Sequence, residues 1–132
     1  MNDIKFIPKD IILYYHQRLI KVYGGSFGIR DESLLDSALE QPKATFHGKY
    51  LHNSLFEMAA AYGYHLCNNH PFVDGNKRIG LTAMNMFLIR NNLEINVPQK
   101  EIYKLMIKVS SGQLSKKELT VWLKNNTKFI NW

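Results

Sequence analysis

Cysteine and long apolar runs are both scarce in this chain of 132 residues. Cys67 is the single thiol, which excludes an internal disulfide and suits a reducing compartment. The longest apolar stretch, residues 79–89, is interrupted by Asn85 and is shorter than the roughly 20 residues that span a bilayer. The N-terminal residues lack a basic leader followed by an apolar run and a cleavage site. We therefore expect a cytoplasmic protein without membrane contact.

Repeats, low-complexity blocks and linkers rich in glycine and serine are also missing, which predicts a single domain over residues 1–132. Acidic residues are outnumbered, and the formal net charge is +6. Such a balance can indicate nucleic-acid binding, but the basic residues form no dense run with interleaved aromatic residues. Many lie in the last third of the chain, at positions expected on solvated helix faces: Lys104, Lys108, Lys116, Lys117, Lys124 and Lys128. We expect no direct contact with nucleic acid.

Apolar residues recur at helical spacing through most of the chain, which predicts an all-α fold of six or so helices. The first helix should follow Pro8 and end at Gly24. Its buried face should carry the apolar residues at helical spacing, namely Ile11, Tyr15, Leu19 and Val22. Asp31 should cap the second helix, and Pro42 should end it.

A loop or short β-hairpin is expected over residues 43–53, before a third helix that begins at a capping box of Ser54 and Glu57. Residues 79–89 are apolar nearly all round, which is typical of a helix enclosed by other helices. They predict the central helix of the fold. Two further helices should begin at Pro98 and at a second capping box, Ser115 with Glu118. Short strands near Phe6 or over residues 94–97 are compatible with this arrangement.

A polar loop with the sequence HPFVDGNKR, residues 70–78, separates the third helix from the central helix. A loop in this place precedes a helix N-terminus, where unpaired backbone N–H groups and the positive end of the helix dipole favour a bound anion. Gly75 allows the backbone to approach a ligand closely. Lys77 and Arg78 add a point charge and a planar fork that suit phosphate oxygens. The loop therefore predicts a phosphate site.

The same loop holds a candidate base and a candidate metal ligand. His70 can act as a general base, and Asp74 offers a hard oxygen ligand for Mg²⁺. We assign Phe72 to the core, as an anchor for the loop. Each residue alone has an ordinary structural explanation: the histidine as a helix cap, the Asp-Gly pair as a turn, and Asn76 as a cap. Only their occurrence together favours function.

The segment HPFVDGNKR closely resembles the signature of the Fic/Doc family, in which His, Phe, an acidic residue and Gly-Asn precede a small or basic residue and Arg. The ending Asn-Lys-Arg is similar to the death-on-curing (Doc) branch. Chain length, helix order and the stretch GGSFGIRDESLLDSALEQP, residues 24–42, also resemble small Doc-like proteins. The resemblance covers nearly the whole chain and implies a helical Fic fold with the loop as its active site.

The resemblance also implies a role for each residue. His70 would deprotonate the target hydroxyl, and Asp74 would hold Mg²⁺. The residues that bind the phosphates of ATP would be Gly75, Asn76, Lys77 and Arg78. Residues 43–53 would form a flap that docks a segment of the target protein, with Lys49, Tyr50 and Leu51 as the contacting residues.

Two departures from the wider family bear on which group is transferred. Fic adenylyltransferases usually have Gly in place of Lys77 and a second Arg in place of Leu81. Doc-like members transfer the γ-phosphate of ATP to a threonine of elongation factor Tu and stop protein synthesis, and this chain resembles them at both positions. Pro71 and Gly75 instead resemble the adenylylating branch. The resemblance thus favours a kinase over an adenylyltransferase.

An external inhibitor is expected because the inhibitory pattern of many Fic proteins, Ser or Thr, three spacers, Glu and Gly or Asn, does not occur here. Doc-like proteins are neutralised by a small, partly disordered antitoxin. Other classes are disfavoured: His65, Cys67 and His70 do not have the spacing of a common zinc site, and residues 24–28 follow no strand and form no dinucleotide fingerprint. A binding protein with the same fold but no catalysis stays open as an alternative.

Overall fold

The computed structural model describes residues 3–130, which form six α-helices and two small antiparallel strand pairs. In chain order the elements are α1 (Lys9–Tyr23), α2 (Glu32–Glu40), a 3-10 turn (Gln41–Lys43), β1 (Thr45–Phe46), β2 (Lys49–Tyr50), α3 (Leu55–Asn69), α4 (Asn76–Arg90), β3 (Leu93–Ile95), α5 (Gln99–Ser110), α6 (Lys116–Asn125) and β4 (Thr127–Phe129). The predicted helical fold is confirmed. None of the helices in this part of the chain is long and apolar enough to cross a membrane.

The centre of the fold is the contact between α3 and α4. The buried positions of α4 are Ile79, Gly80, Leu81, Ala83, Met84, Phe87 and Leu88, so α4 is the central apolar helix that the sequence predicts. α3 shares that position, because it packs against α2, α4, α5 and α6. A Cβ on Gly80 would lie 3.0 Å from the carbonyl oxygen of Gly63 in α3. The two backbones can approach this closely only because Gly80 has no side chain.

Side-chain caps start the helices on either side of this core. In the capping box of α6, Ser115 Oγ accepts the Glu118 N–H at 3.0 Å, and the Glu118 carboxylate accepts the Ser115 N–H at 3.0 Å. At α3, Ser54 Oγ accepts the Glu57 N–H at 3.1 Å, but the Glu57 carboxylate accepts the N–H of Asn53 at 3.0 Å instead. Of the two hydrogen bonds in the predicted capping box at α3, the first therefore forms as expected. The second goes to Asn53, one residue before the N-cap residue Ser54.

The predicted buried face of α1 is wrong by one residue. Ile12, His16 and Ile20 are the buried positions. Tyr15 and Val22, which the apolar spacing assigns to the core, are 38% and 69% exposed. The error has a physical cause, because a histidine occupies the middle of the buried face and its partners lie in a loop far along the chain.

Both strand pairs lie at the edge of the helical body. β1 and β2 form the expected hairpin, with Thr45 opposite Tyr50 and a turn at His47 and Gly48, which have φ values of 51° and 76°. Positive φ at both turn positions matches the twist of a two-residue hairpin. β3 (Leu93–Ile95) overlaps the expected region 94–97 at two residues and pairs with β4, a strand that the sequence pattern does not predict. Phe6 lies outside any strand.

A part-buried cluster of two histidines and a lysine joins α6 to α3 and to the residues before it. Lys116 Nζ lies 3.3 Å from Nε2 of His52 and 3.2 Å from Nε2 of His65. Burial, the Lys116 charge and His52 lower the pKa of His65 to about 4, and burial followed by Lys116 lowers the pKa of His52. Both imidazoles are therefore neutral acceptors at neutral pH, and the lysine ammonium is the donor.

We predict that Gly80→Ala destabilises the protein although alanine is the better helix former by about 1 kcal/mol. The new Cβ would press on the rigid carbonyl of Gly63, and overpacking of this kind costs roughly 1–3 kcal/mol. Gly63→Ala is the matched control, because its Cβ would meet the flexible Met84 side chain at 2.9 Å. Urea denaturation should give the larger loss for Gly80→Ala. A smaller loss than in Gly63→Ala would contradict close backbone packing.

We predict that stability falls as the pH is lowered from 6.5 towards 4. In that window the unfolded chain binds a proton at His65 and the folded chain does not, so the folded state loses free energy relative to the unfolded state. His65→Gln should flatten this part of the urea stability curve. His47→Gln, at an exposed hairpin position, should leave the slope unchanged. Equal slopes in the two variants would exclude the cluster as the cause.

Candidate active site

The loop of residues 70–75 joins the end of α3 to the start of α4 and is bounded by two left-handed residues. His70 follows α3 with φ 49° and ψ 53°, and its side chain is exposed. Gly75 precedes α4 with φ 81° and ψ 17°. A Cβ on Gly75 would lie 3.2 Å from Ile20 Cδ1 and 3.5 Å from His16 Nε2. Glycine therefore suits this position for two reasons: it adopts positive φ without strain, and it has no side chain to press on α1.

Arg30 fixes the backbone at the candidate base. Its Nε donates to the His70 carbonyl at 2.6 Å, and its Nη2 donates to the Asn69 carbonyl at 3.0 Å. These carbonyls belong to the C-terminal end of α3, where no helical N–H remains to satisfy them. A left-handed histidine is a strained conformation that its surroundings must stabilise, and the arginine supplies part of that stabilisation.

The segment after α1 lies along the loop and bonds to it through the main chain. The Val73 N–H donates to the Gly28 carbonyl at 3.0 Å. The Arg30 and Asp31 N–H groups donate to the Pro71 carbonyl at 2.7 and 3.0 Å. The loop is therefore held on one side by residues some forty positions earlier in the chain, and its shape depends on that segment.

Phe72 and Asn76 close the loop from within. Asn76 Oδ1 accepts the Phe72 N–H and its Nδ2 donates to the Phe72 carbonyl, both at 3.0 Å. The Phe72 ring is 1% exposed and stacks on His16, with centroids 3.7 Å apart and planes 11° from parallel. The Asn76 side chain is thus used inside the loop, which leaves its backbone N–H as the group that can meet an anion.

Asp74 is oriented by two neighbours. Its Oδ2 accepts the Ser26 N–H at 2.7 Å, and its carbonyl accepts the His16 Nε2–H at 2.8 Å. Burial lowers the pKa of His16, against the opposing effect of the Asp74 carbonyl, so its ring is neutral with the proton on Nε2. A Cβ on Gly25 would lie 3.1 Å from Asp74 Cβ. Glycine at this position lets the carboxylate sit beside the segment after α1.

A cleft of about 340 Å³ opens beside the start of α4. Its lining brings together the predicted phosphate-binding residues and the candidate metal ligand, namely Asp74, Gly75, Asn76, Lys77 and Arg78, with Leu19, Ile20, Tyr23, Gly24, Gly25 and Tyr103 around them. The first main-chain bond of α4 runs from the Ile79 N–H to the Gly75 carbonyl at 2.9 Å. The amides before Ile79 therefore precede the helical ladder and are suited to an anion.

Arg78 is held between two tyrosine rings. Its Cζ lies 3.6 Å from the ring centroid of Tyr23 in α1 and 4.3 Å from that of Tyr103 in α5. Both contacts are cation–π contacts with the rings, which do not use the N–H groups of the guanidinium, so those groups stay available to donate to phosphate. The two rings thus restrict the orientation of the cation that faces the cleft.

Other predicted residues lie outside the cleft. His70 stands before it along the loop and does not line it, and the hairpin residues Lys49, Tyr50 and Leu51 are exposed but do not line it either. The hairpin's one aromatic contact outside its own turn joins Tyr50 to Phe6, with ring centroids 5.8 Å apart. Its role as a docking flap stays a prediction.

The alternative zinc site is not assembled. His65 faces Lys116, and Cys67 is buried with its thiol 3.7 Å from the Met106 carbonyl. Burial raises the pKa of Cys67 to about 11, which disfavours a thiolate. Within residues 3–130 no group of three His, Cys, Asp or Glu side chains is placed to hold a metal.

Sequence reasoning missed four residues that shape the site: His16, Tyr23, Arg30 and Tyr103. Arg30 lies inside the stretch of residues 24–42 that carries part of the family resemblance, so a signal for it was present. His16 had a weaker signal, as a polar residue within an amphipathic helix. The two tyrosines had none, because stacking on Arg78 depends on how α1 and α5 pack.

The fold and the site define a helical protein with a polar loop, the predicted phosphate site, between two closely packed helices. Comparison with known families identifies the group: the chain belongs to the Fic/DOC family, whose model matches residues 6–88. The match includes the whole loop and α1 to α3 with nearly all of α4. The resemblance inferred from HPFVDGNKR is therefore confirmed.

Two relatives are similar to this chain. Toxin Doc of Mycolicibacterium smegmatis is 40% identical over 73 residues, which are 55% of this chain and 56% of the relative. The aligned region thus spans little more than half of that protein. Protein kinase doc of Escherichia phage P1 is 26% identical over 112 residues, which are 85% of this chain and 87% of the relative.

We predict that Gly75→Ala destabilises the protein more than Gly112→Ala does. Both glycines have positive φ, 81° and 79°, so both variants should lose about 1 kcal/mol through the backbone. A Cβ at position 112 would meet nothing within 4 Å, whereas a Cβ at position 75 would meet Ile20 and His16. Urea denaturation measures the difference. Equal losses would mean that the loop does not pack against α1 as described.

Proposed function

We propose that this protein is a Doc-like toxin that acts as a kinase dependent on ATP and Mg²⁺. It transfers the γ-phosphate to a hydroxyl of a target protein, a threonine of elongation factor Tu, and so blocks translation. The observation that carries the proposal is the single cleft in which Asp74, Lys77, Arg78 and the free amides of α4 meet. Membership of the Fic/DOC family and the names of the two relatives support it.

The cleft residues fit a triphosphate with a divalent cation. Glycine at positions 25 and 75 lets the backbone that lines the cleft pack closely against Asp74, Ile20 and His16, which fixes the wall of the cleft beside the first amides of α4. Ser26 occupies Oδ2 of Asp74, and no donor among residues 3–130 reaches Oδ1. A carboxylate oxygen is therefore available for Mg²⁺, which commonly binds one or two carboxylates together with substrate phosphates.

In this mechanism the protein supplies a base, charge and position. His70 accepts the proton of the target hydroxyl, whose oxygen forms a bond to the γ-phosphorus while the bond to the leaving ADP oxygen breaks. Lys77, Arg78 and the first amides of α4 stabilise the negative charge on the phosphate oxygens. Asp74 would hold Mg²⁺, which neutralises charge on the phosphates when bound. Arg30 acts on the base indirectly, through the His70 carbonyl.

Two side chains support transfer of phosphate over transfer of AMP. Lys77 lines the cleft in the first turn of α4, where adenylyltransferases usually have glycine. Leu81 is 3% exposed, so the position one turn after Arg78 contributes to the core and supplies no second cation. Pro71 and Gly75 resemble the adenylylating branch, and AMP transfer is therefore the alternative that the experiment below must distinguish.

An antitoxin is the second partner in this proposal. The proposed site contains no inhibitory segment of the kind that many Fic proteins carry, so inhibition would come from another protein. Apolar side chains that are more than half exposed lie on α1 and on the segment after it: Val22, Tyr23 and Phe27. An exposed group of this kind suits a small partner that folds as it binds.

The proposed reaction predicts a covalent change on the target. The purified protein, incubated with elongation factor Tu, ATP and Mg²⁺, should add one phosphate to it, as measured by mass spectrometry of the intact protein and its peptides. His70→Ala should abolish the change, because the hydroxyl then lacks its base, while circular dichroism shows an unchanged fold. Addition of AMP would support the adenylyltransferase. No change on elongation factor Tu or on any lysate protein would favour a non-catalytic binding role.

Removal of the Tyr103 ring should weaken nucleotide binding. Tyr103→Ala frees one face of the Arg78 guanidinium, and loss of a cation–π contact worth about 0.5–2 kcal/mol should raise the KM for ATP roughly 2- to 30-fold. Tyr103→Phe keeps the ring and is the control. Steady-state kinetics at varied ATP should show little change for Phe. Equal effects of Ala and Phe would assign the role to the hydroxyl and contradict stacking.

A further inference from the structure

A second cavity lies between the start of α3 and α6, and its volume of about 680 Å³ is twice that of the active-site cleft. We refer to it as the α3–α6 pocket. Its lining residues are His52, Ser54, Phe56, Glu57, Lys116, Lys117, Thr120, Val121 and Lys124. None of these residues lines the candidate active-site cleft, and His70 does not line the pocket. The two cavities are therefore separate, although Lys116 reaches His65, five residues before His70.

The pocket has an excess of positive charge. Three lysines line it, and Glu57 is the one carboxylate. That carboxylate accepts the Asn53 N–H at 3.0 Å and lies 3.4 Å from the Ser54 hydroxyl, so it is already used to start α3. The ion pairs found within residues 3–130 do not include Lys116, Lys117 or Lys124. None of the three lysines therefore has a carboxylate within ion-pair distance among the described residues, and only Lys116 feels the charge of Glu57 at longer range.

The cluster at the base of the pocket leaves donors unmet. The Lys116 ammonium has three N–H groups, and the two imidazoles accept two of them. His52 is 8% exposed, and its Nδ1 has no partner among the described residues. Because Nε2 of His52 accepts from the lysine, Nδ1 carries the proton. Nδ1 is buried, whereas the third N–H of the half-buried Lys116 has no acceptor among the described residues. A ligand carboxylate or carbonyl oxygen in the pocket would supply that acceptor.

Two apolar side chains, Phe56 and Val121, also line the pocket and help to define the class of ligand. Phe56 is half-buried, and Val121 is 54% exposed. A nucleic acid is disfavoured because the pocket offers one half-buried aromatic ring for stacking and contains the Glu57 carboxylate. Apolar surface beside three cations instead matches a peptide segment in which acidic residues flank an apolar side chain.

We propose that the α3–α6 pocket docks an acidic segment of the target protein, with carboxylates on Lys116, Lys117 and Lys124 and an apolar side chain against Phe56 and Val121. The pocket is continuous with the hairpin predicted to hold the target, because His52 directly follows Leu51. Hairpin and pocket together would bind the target outside the cleft proposed to hold the nucleotide. The identity of the partner rests on the proposed function.

The test measures the affinity of the His70→Ala protein for elongation factor Tu by fluorescence anisotropy, without turnover. Lys117→Glu with Lys124→Glu should raise Kd about tenfold, because two exposed attractions become repulsions. Lys100→Glu with Lys108→Glu is the matched control: both lysines are exposed on α5, and the net charge changes equally. The difference between the pairs should shrink at high salt.

The outcomes separate docking from chemistry. An unchanged Kd in the pocket pair, an equal loss in both pairs, or no binding of elongation factor Tu at all would overturn the docking proposal. A loss of affinity in the pocket variant but not in the control variant supports the docking proposal. If the protein with His70 intact then transfers neither phosphate nor AMP, only the proposed reaction is contradicted. If the protein transfers the group normally and the Lys117→Glu/Lys124→Glu variant has an unchanged Kd, the proposed reaction is supported and the proposed docking site is contradicted.

Discussion

The close approach of α3 and α4 is the constraint on which the site depends. Gly80 lies against the backbone of Gly63, so the two helices are in close contact within two turns of the loop and cannot shift apart without opening the core. The loop between them must then reverse direction within the six residues from 70 to 75. Left-handed conformations at His70 and Gly75 accomplish this reversal. Helix packing therefore decides where the candidate base and the free amides of α4 lie.

Contacts with other parts of the chain hold the loop between α3 and α4 in one conformation. The segment after α1 bonds to the loop through the main chain, and Arg30 bonds to the carbonyls that end α3. His16 contacts the loop from the other side, by stacking on Phe72 and donating to the Asp74 carbonyl. A neutral, buried histidine in this position costs little, because both the ring face and the Nε2 proton have partners. The loop is thus stabilised by three separate parts of the chain.

Much of the fold and the site could be predicted because the signals are local. Capping residues and apolar spacing locate the helices to within a few residues, and the nine residues of the loop contain the candidate base, metal ligand and phosphate-binding groups. The buried face of α1 could not be predicted in this way. His16 interrupts the apolar pattern, and the cost of burying its polar ring is offset by contacts with Phe72 and Asp74, more than fifty positions away in the sequence. β4 was missed for a similar reason, since its partner β3 lies over thirty residues earlier.

The sequence by itself determined the family, the helical class and the residues that carry the proposed chemistry, because these depend on residue types at short spacing along one segment. Tertiary structure alone decided which groups surround them. Tyr23 and Tyr103 meet Arg78 because α1 and α5 pack on either side of α4, and Lys116 meets His52 and His65 because α6 packs on α3. Contacts of this kind depend on helix packing across long sequence separations, which no local pattern of residues specifies.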